Sequence, residues 1–130
     1  MKTIIKILLA AFVLSLVPAT HVCAQGKKWS YQGIFSEGMS MVIDANGKFG
    51  YIDLTGKVVI PCQWNRADSF YEGLAWVVDS NWKYGYIDKT GKVVIPCKWK
   101  DAGWFVGGSA FVIDDNGKRV MIDKTGKIIK

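Results

Sequence analysis

Residues 70–96 read FYEGLAWVVDSNWKYGYIDKTGKVVIP, and this stretch decides the fold. Residues 74–78 alternate larger and smaller apolar side chains, a pattern typical of a β-strand. Residues 84–88 and 93–95 are two further strand-like runs, and each follows a short polar segment that begins with Asp and ends with Lys. The stretch therefore predicts three short strands in succession, joined by tight connections.

The connections carry the chemistry of hairpin turns. Residues 88–92 read Asp-Lys-Thr-Gly-Lys, which fits a type I turn followed by a glycine at positive φ, with the Asp side chain accepting hydrogen bonds from turn amides. Both connections of the unit are therefore predicted to be antiparallel hairpins. Pro61 and Pro96 cannot donate to a strand ladder and mark the expected end of the third strand. The same turn-capping role is assigned to Asp44, Asp53, Asp79, Asp88, Asp114 and Asp123.

The unit repeats every 35 residues, as the positions of Phe35, Phe70 and Phe105 show. Of the 35 positions in 35–69, 21 are identical in 70–104, and residues 105–130 keep 13 of 26 against the second copy. Counted from the equally spaced Trp positions, the units are 29–63, 64–98 and 99–130. One three-stranded meander is marginal alone, so neighbouring units must cover one another's apolar faces. We predict an all-β, open, solenoid-like array of tandem three-stranded antiparallel meanders.

The N-terminus has the features of an export signal. Two lysines within residues 1–6 precede an uncharged apolar run of 11 residues, 7–17, which is too short to span a bilayer. Val22 and Ala24 form a small-residue cleavage pattern, so residues 1–24 are predicted to be a signal peptide cleaved after Ala24. The alternative, a lipoprotein signal acylated on Cys23, is disfavoured because that pathway prefers a smaller residue than Val22 directly before the cysteine.

The second copy contains the pattern Phe-x-Glu-Gly-x-Ala-x-Val, followed by Asn-x-Lys-x-Gly-Tyr-Ile-Asp-Lys-Thr-Gly-Lys-Val-Val-Ile-Pro. This arrangement resembles the WG-repeat (KWG-repeat) family of bacterial proteins. The resemblance covers nearly all of 29–130. The family's Trp-Gly departs here to Phe49-Gly50, Tyr84-Gly85 and Arg119-Val120, so the second strand of the third unit lacks the family's glycine. The resemblance implies an exported or surface β-repeat array and supplies no catalytic residue.

Composition narrows the possible chemistry. The 130-residue chain has a net charge of +6, and only 22% of its residues are charged while 13% are aromatic. This charged fraction and aromatic content exclude a disordered tail. After removal of residues 1–24 no histidine is left, because His21 is the only one. We therefore expect no enzyme activity, no cofactor and no metal site. Asp114 and Asp115 resemble the start of a calcium loop, but the bidentate Glu is missing.

Cys62 and Cys97 occupy equivalent positions of consecutive units. In a single sheet, atoms three strands apart would be separated by about 14 Å, whereas a disulfide needs Cα atoms within about 7 Å. This estimate favours two thiols. A wrapped solenoid would shorten the distance, so a disulfide stays open as the alternative.

Aromatic side chains are the best ligand-contact candidates. Trp29, Trp64 and Trp99 lie in register, and they either seal the joints between units or form a row that stacks on sugar rings. Trp82 replaces the turn glycine found at Gly47 and Gly117. Holding it at positive φ would cost about 1–2 kcal/mol, unless the turn changes type, so it marks either drift or a functional site.

The sequence predicts a non-enzymatic exported binding module, periplasmic or at the cell surface, with an unknown protein or glycan partner. A structural scaffold that self-associates through the ends of the array is the alternative. Nucleic acid is not expected as a partner for an exported chain, and no membrane span is expected after the signal.

Overall fold

The computed structural model describes residues 29–130. The predicted signal peptide, with its cleavage after Ala24, lies outside the described residues. Within them the chain forms strands and no helix. The strands are β1 (Tyr31–Ser36), β2 (Met39–Ile43), β3 (Phe49–Asp53), β4 (Val58–Trp64), β5 (Arg66–Ala67), β6 (Leu74–Val78), β7 (Tyr84–Asp88), β8 (Val93–Trp99), β9 (Asp101–Ala102), β10 (Ser109–Ile113) and β11 (Arg119–Asp123).

The strands form three antiparallel sheets, in the orders β1-β2-β3-β4, β5-β6-β7-β8 and β9-β10-β11. The prediction of an all-β tandem repeat is confirmed. The first two sheets have four strands, one more than the predicted meander, and the third has three. The added strands of the second and third sheets, β5 and β9, come from the connections that follow β4 and β8. Trp64 pairs with Phe49 in the first sheet, and two residues later Arg66 pairs with Val78 in the second. The chain thus passes from one sheet into the next with almost no loop.

The expectation that Pro61 and Pro96 end the third strand is wrong. β4 and β8 run through these prolines to Trp64 and Trp99. The pairing with β3 and β7 shifts register beside each proline, and β4 and β8 lie at the edges of their sheets. An edge position and a bulge are the two settings in which a strand tolerates a residue without an N–H.

The same bulge explains the glycine in the middle of β3 and β7. A Cβ on Gly50 would lie 2.6 Å from the Ile60 carbonyl oxygen and 2.8 Å from the Cys62 Sγ atom. A Cβ on Gly85 would meet Ile95 and Cys97 at 2.6 and 2.7 Å. Any side chain there would collide with the bulged strand. Val120 stands at this position in the third unit, yet β11 forms in full register with β10.

Each hairpin turn that begins with Asp and ends with Lys is closed by the aspartate carboxylate. Asp88 Oδ1 accepts hydrogen bonds from the Thr90 and Lys92 amides at 2.9 and 3.1 Å. Bonds from the Thr hydroxyl and from turn amides lower the pKa of this carboxyl below its usual value. The same pair of amide bonds, to residues two and four positions later, occurs at Asp44, Asp53, Asp79, Asp114 and Asp123.

Two apolar clusters each combine residues of neighbouring units. One cluster combines Met39, Tyr51 and Ile60 of the first unit with Phe70 and Val77 of the second. A second cluster joins the second and third units in the same manner. β6 contributes to both: Ala75 and Val77 face the first unit, and Leu74 and Trp76 face the third. The middle sheet is therefore covered on both faces.

One aromatic pair recurs at each joint. Tyr51 and Phe70 pack edge to face with ring centroids 4.9 Å apart, and Tyr86 and Phe105 repeat this contact at 4.9 Å. The Tyr51 hydroxyl donates to the Asp68 carbonyl at 2.6 Å, and the Tyr86 hydroxyl donates to the Gly103 carbonyl at 2.7 Å. Burial raises the pKa of both tyrosines far above the usual value. They therefore stay protonated and keep donating.

A glutamate carboxylate also bridges each joint. Glu37 accepts from the Glu72 and Gly73 amides at 2.6 and 2.9 Å, and Glu72 accepts from the Gly107 and Gly108 amides at 2.6 and 2.9 Å. Lys89 and Lys124 lie 3.6 Å from these carboxylates. The amides of Gly108 and Gly107 and the nearby lysine charge lower the pKa of Glu72 below its ordinary value of 4.5.

We predict that Glu72→Gln lowers the melting temperature at pH 7 and weakens its acid dependence. The Gly107 and Gly108 amides donate to different oxygens of Glu72, and glutamine replaces one of these acceptors with an NH2 donor. Because the pKa of Glu72 is lower in the folded state, its stabilising contribution is complete above the ordinary value of 4.5. That contribution is lost as the pH falls through the folded pKa. Thermal unfolding between about pH 2 and 7 measures both effects.

The matched control is Gln63→Lys, which changes the charge equally and installs the residue found at the equivalent Lys98. Equal melting temperatures of Glu72→Gln and the control at pH 7 would contradict the bridging role.

Candidate binding site

A cavity of about 310 Å³ opens between the second and third units. Its lining combines aromatic rings with one carboxylate: Asp68, Trp76, Ala102, Gly103, Trp104 and Phe111. A concave apolar surface with a few fixed polar groups is the usual form of a small-ligand site. We take this cavity, named here the Trp104 cavity, as the candidate site.

Trp104 is held in a defined orientation although 52% of its surface is exposed. Its indole Nε1 donates to Asp68 Oδ2 at 2.8 Å. Its ring packs against Tyr71, with centroids 5.0 Å apart. The other oxygen of Asp68 accepts from the Ser69 amide at 2.8 Å. An exposed indole fixed at its edge and on one side offers a preorganised surface for a flat or apolar ligand face.

The opposite wall depends on a glycine. A Cβ on Gly103 would lie 2.2 Å from the Phe111 ring, so only glycine lets this ring rest on the backbone. The guanidinium of Arg119 lies 4.2 Å from the centroid of Phe111. In the middle sheet the ring of Trp76 on β6 packs against that of Tyr84 on β7, with centroids 5.1 Å apart. The rings are thus fixed by packing before any ligand arrives.

The family model described as "WG containing repeat" matches residues 49–81 and 84–118, together more than half of the chain. The chain belongs to the WG-repeat family. The matched segments contain the bulge glycines Gly50 and Gly85 and the whole of the middle sheet. No curated protein matches this WG-repeat chain.

The three Trp residues predicted in register do not form an exposed row. Trp64 and Trp99 are 8% and 4% exposed and belong to the two joint cores of this WG-repeat array. Their indole nitrogens have no hydrogen-bond partner among residues 29–130. Trp29 is half-buried. The sequence left two roles open, sealing of the joints or stacking on sugar rings. Trp64 and Trp99 seal the joints, because their rings are buried there.

Trp82 is 63% exposed and itself takes the left-handed conformation, with φ of 61°. Its amide donates to the Asp79 carbonyl at 3.0 Å, as the Gly47 amide does to Asp44. The turn type is therefore unchanged and the strain falls on Trp82 rather than on Asn81. Trp82 does not line the Trp104 cavity.

Sequence reasoning missed the residues that line the cavity. For Trp104 the signal was present as an exception to the repeat, since Ile34 and Ser69 stand at the equivalent positions. Trp76 and Phe111 are equivalent to each other and to Met41, so that position is aromatic in two units. Aromatic residues that recur in every unit serve the shared core. An aromatic residue that appears in only one unit is free to serve another purpose.

The remaining candidate groups show little sign of reactivity. Cys62 and Cys97 are half-buried and no disulfide joins them. Burial raises the pKa of the Cys97 thiol to about 11, which keeps it protonated at neutral pH. The one-sheet distance estimate does not apply, since these residues belong to different sheets. In residues 29–130 no group of three or more His, Cys, Asp or Glu side chains is arranged to hold a metal ion.

Trp82→Gly is expected to raise the free energy of unfolding by about 1 kcal/mol, because glycine removes the left-handed strain. The matched substitution is Gly117→Trp at the equivalent position of the third unit, which should lower it by a similar amount. Urea unfolding of the three proteins provides the comparison. A less stable Trp82→Gly variant would show instead that the indole is held by packing.

Proposed function

We propose that this WG-repeat chain is a non-enzymatic binding module that takes a sugar ring or a similarly flat ligand in the Trp104 cavity. The observation that carries the proposal is the exposed, edge-anchored indole of Trp104 beside the Asp68 carboxylate. Pyranose rings have apolar C–H faces that pack on an aromatic ring. Their hydroxyl groups donate to carboxylate and carbonyl oxygens.

The polar part of the cavity supports this ligand class. Asp68 Oδ1 and Oδ2 each already accept one hydrogen bond. A carboxylate has about four lone-pair sites, so it can accept further bonds from ligand hydroxyls. The Trp104 and Ser69 donors hold the carboxylate in place.

The site of action is proposed to be the periplasm or the cell surface, where wall and surface glycans are the available ligands. This part rests on the export features of residues 1–24 in the sequence. No helix in residues 29–130 is long and apolar enough to cross a membrane.

A scaffold that self-associates is the second candidate, and the first strand favours it. β1 forms an edge of its sheet and presents exposed apolar side chains at Tyr31, Ile34 and Phe35. Exposed apolar edge strands are prone to pair with another chain. Association through this edge would bury these residues.

We expect Trp104→Ala to weaken binding by about tenfold or more in a screen of surface oligosaccharides and peptidoglycan fragments, since it removes the central aromatic contact. Trp82→Ala is the matched control, because it removes an exposed indole outside the cavity. Binding measured by calorimetry should be unchanged in the control. Equal loss in both variants would place the site elsewhere.

Static light scattering of the same samples distinguishes the self-associating scaffold from the binding module. A monomer at high concentration contradicts the scaffold. Concentration-dependent association together with silence in the whole glycan screen contradicts the binding module.

A further inference from the structure

The three units share a two-residue turn with left-handed backbone. The φ values are 54° and 81° at Glu37 and Gly38, and 53° and 83° at Glu72 and Gly73. The third turn, Gly107–Gly108, has φ of 63° and 86°. Two successive positive φ angles are the signature of a type I′ hairpin turn. In such a turn the two central amides point away from the strands.

Two of these turns already bind a carboxylate in the same way. The Glu72 and Gly73 amides donate to the two oxygens of Glu37 at 2.6 and 2.9 Å. The Gly107 and Gly108 amides donate to the two oxygens of Glu72 at the same two distances. The two turns differ in their residues, Glu72–Gly73 and Gly107–Gly108, yet they hold the carboxylate at the same distances. The turn backbone itself is therefore the receptor. Short bonds from paired amides to a carboxylate are charge-assisted and specific for an anion.

The first turn has the conformation of the two receptors, and Glu37 is exposed and Gly38 half-buried. Within residues 29–130 no carboxylate accepts from the Glu37 and Gly38 amides. The turn shares no residue with the Trp104 cavity.

The neighbour of the first turn differs from those of the other two. Lys89 and Lys124 stand 3.6 Å from the bound carboxylates. The equivalent residue of the first unit is Leu54, which is 71% exposed. A ligand here would meet an apolar group beside the amides instead of an ammonium group.

We propose that the Glu37–Gly38 turn is a binding site for a carboxylate of an acidic peptide, with an apolar part of that peptide against Leu54. A peptide is favoured because both filled receptors hold a glutamate side chain carried by a hairpin. A second copy stacked end to end does not supply this carboxylate, because Gly107 stands where the first two units have Glu37 and Glu72.

The test is a ¹H–¹⁵N correlation titration of the full chain with two probes. N-acetyl-glutamate N-methylamide offers a side-chain carboxylate, and N-acetyl-leucine offers a chain-terminal carboxylate beside an apolar group. The uncharged control is N-acetyl-glutamine N-methylamide. We expect saturable downfield shifts of the Glu37 and Gly38 amide protons with at least one acid. The Gly73 and Gly108 amides are occupied and should move much less.

The relative affinity of the two acids tells which kind of peptide carboxylate is preferred. No saturable shift up to about 100 mM of either acid, or an equal shift with the uncharged control, overturns the proposal.

A gain-of-function variant gives a second readout. Leu54→Lys places an ammonium group where Lys89 and Lys124 stand, so the fold accepts it. It should tighten binding of N-acetyl-glutamate N-methylamide by roughly two- to fivefold at low salt, as an exposed ion pair does. An unchanged midpoint would contradict the inferred geometry. Neither result depends on glycan binding, since the Trp104 cavity is intact in this variant.

Discussion

The contact between a tyrosine of one unit and a phenylalanine of the next is the constraint on which the structure depends. Tyr51 meets Phe70, and Tyr86 meets Phe105, each with centroids 4.9 Å apart. All four rings are almost fully buried. A meander of three or four short strands cannot cover these rings alone. The clusters that contain these rings therefore form only where two units meet, and much of the stability depends on the joints.

This constraint assigns the repeated residues to packing and leaves the unrepeated ones for recognition. Trp64 and Trp99 recur and lie in the joint cores. Trp104 has no aromatic counterpart in the other units and lies half-exposed at the mouth of a cavity. The Glu72 carboxylate follows the same logic, because it binds the next unit's turn. The repeat is broken at Gly107, which replaces the bridging glutamate, and at Leu54, which replaces the lysine beside the bound carboxylate.

Much of the fold could be predicted from the sequence because its signals are local. The turn signature around Asp88 and Gly91 sets each hairpin, and the 35-residue spacing of Phe35 and Phe70 sets the unit. The path of β4 past Pro61 could not be predicted. Its bulge depends on a neighbouring strand that approaches Gly50, which is a tertiary contact. The extra strand β5 was missed for the same reason, since its two residues pair only with β6.

The candidate site was harder to predict than the fold. Equal spacing drew attention to Trp29, Trp64 and Trp99, but equal spacing signals a shared structural role. Burial separates Trp64 from Trp104, and burial at a joint depends on which face of each sheet meets the next. The strain at Trp82 could be predicted, because the sequence shows Trp where the equivalent turns have glycine. Trp82 does take a positive φ.

Native-state hydrogen exchange of Phe70→Ala and Phe105→Ala tests most directly whether the cores belong to the joints. Phe70→Ala should reduce amide protection on both sides of the first joint, at Tyr51 as well as at Val77. Phe105→Ala should do so at Tyr86 and Val112, on both sides of the second. Loss of protection confined in each variant to the unit that carries the substitution would contradict the account.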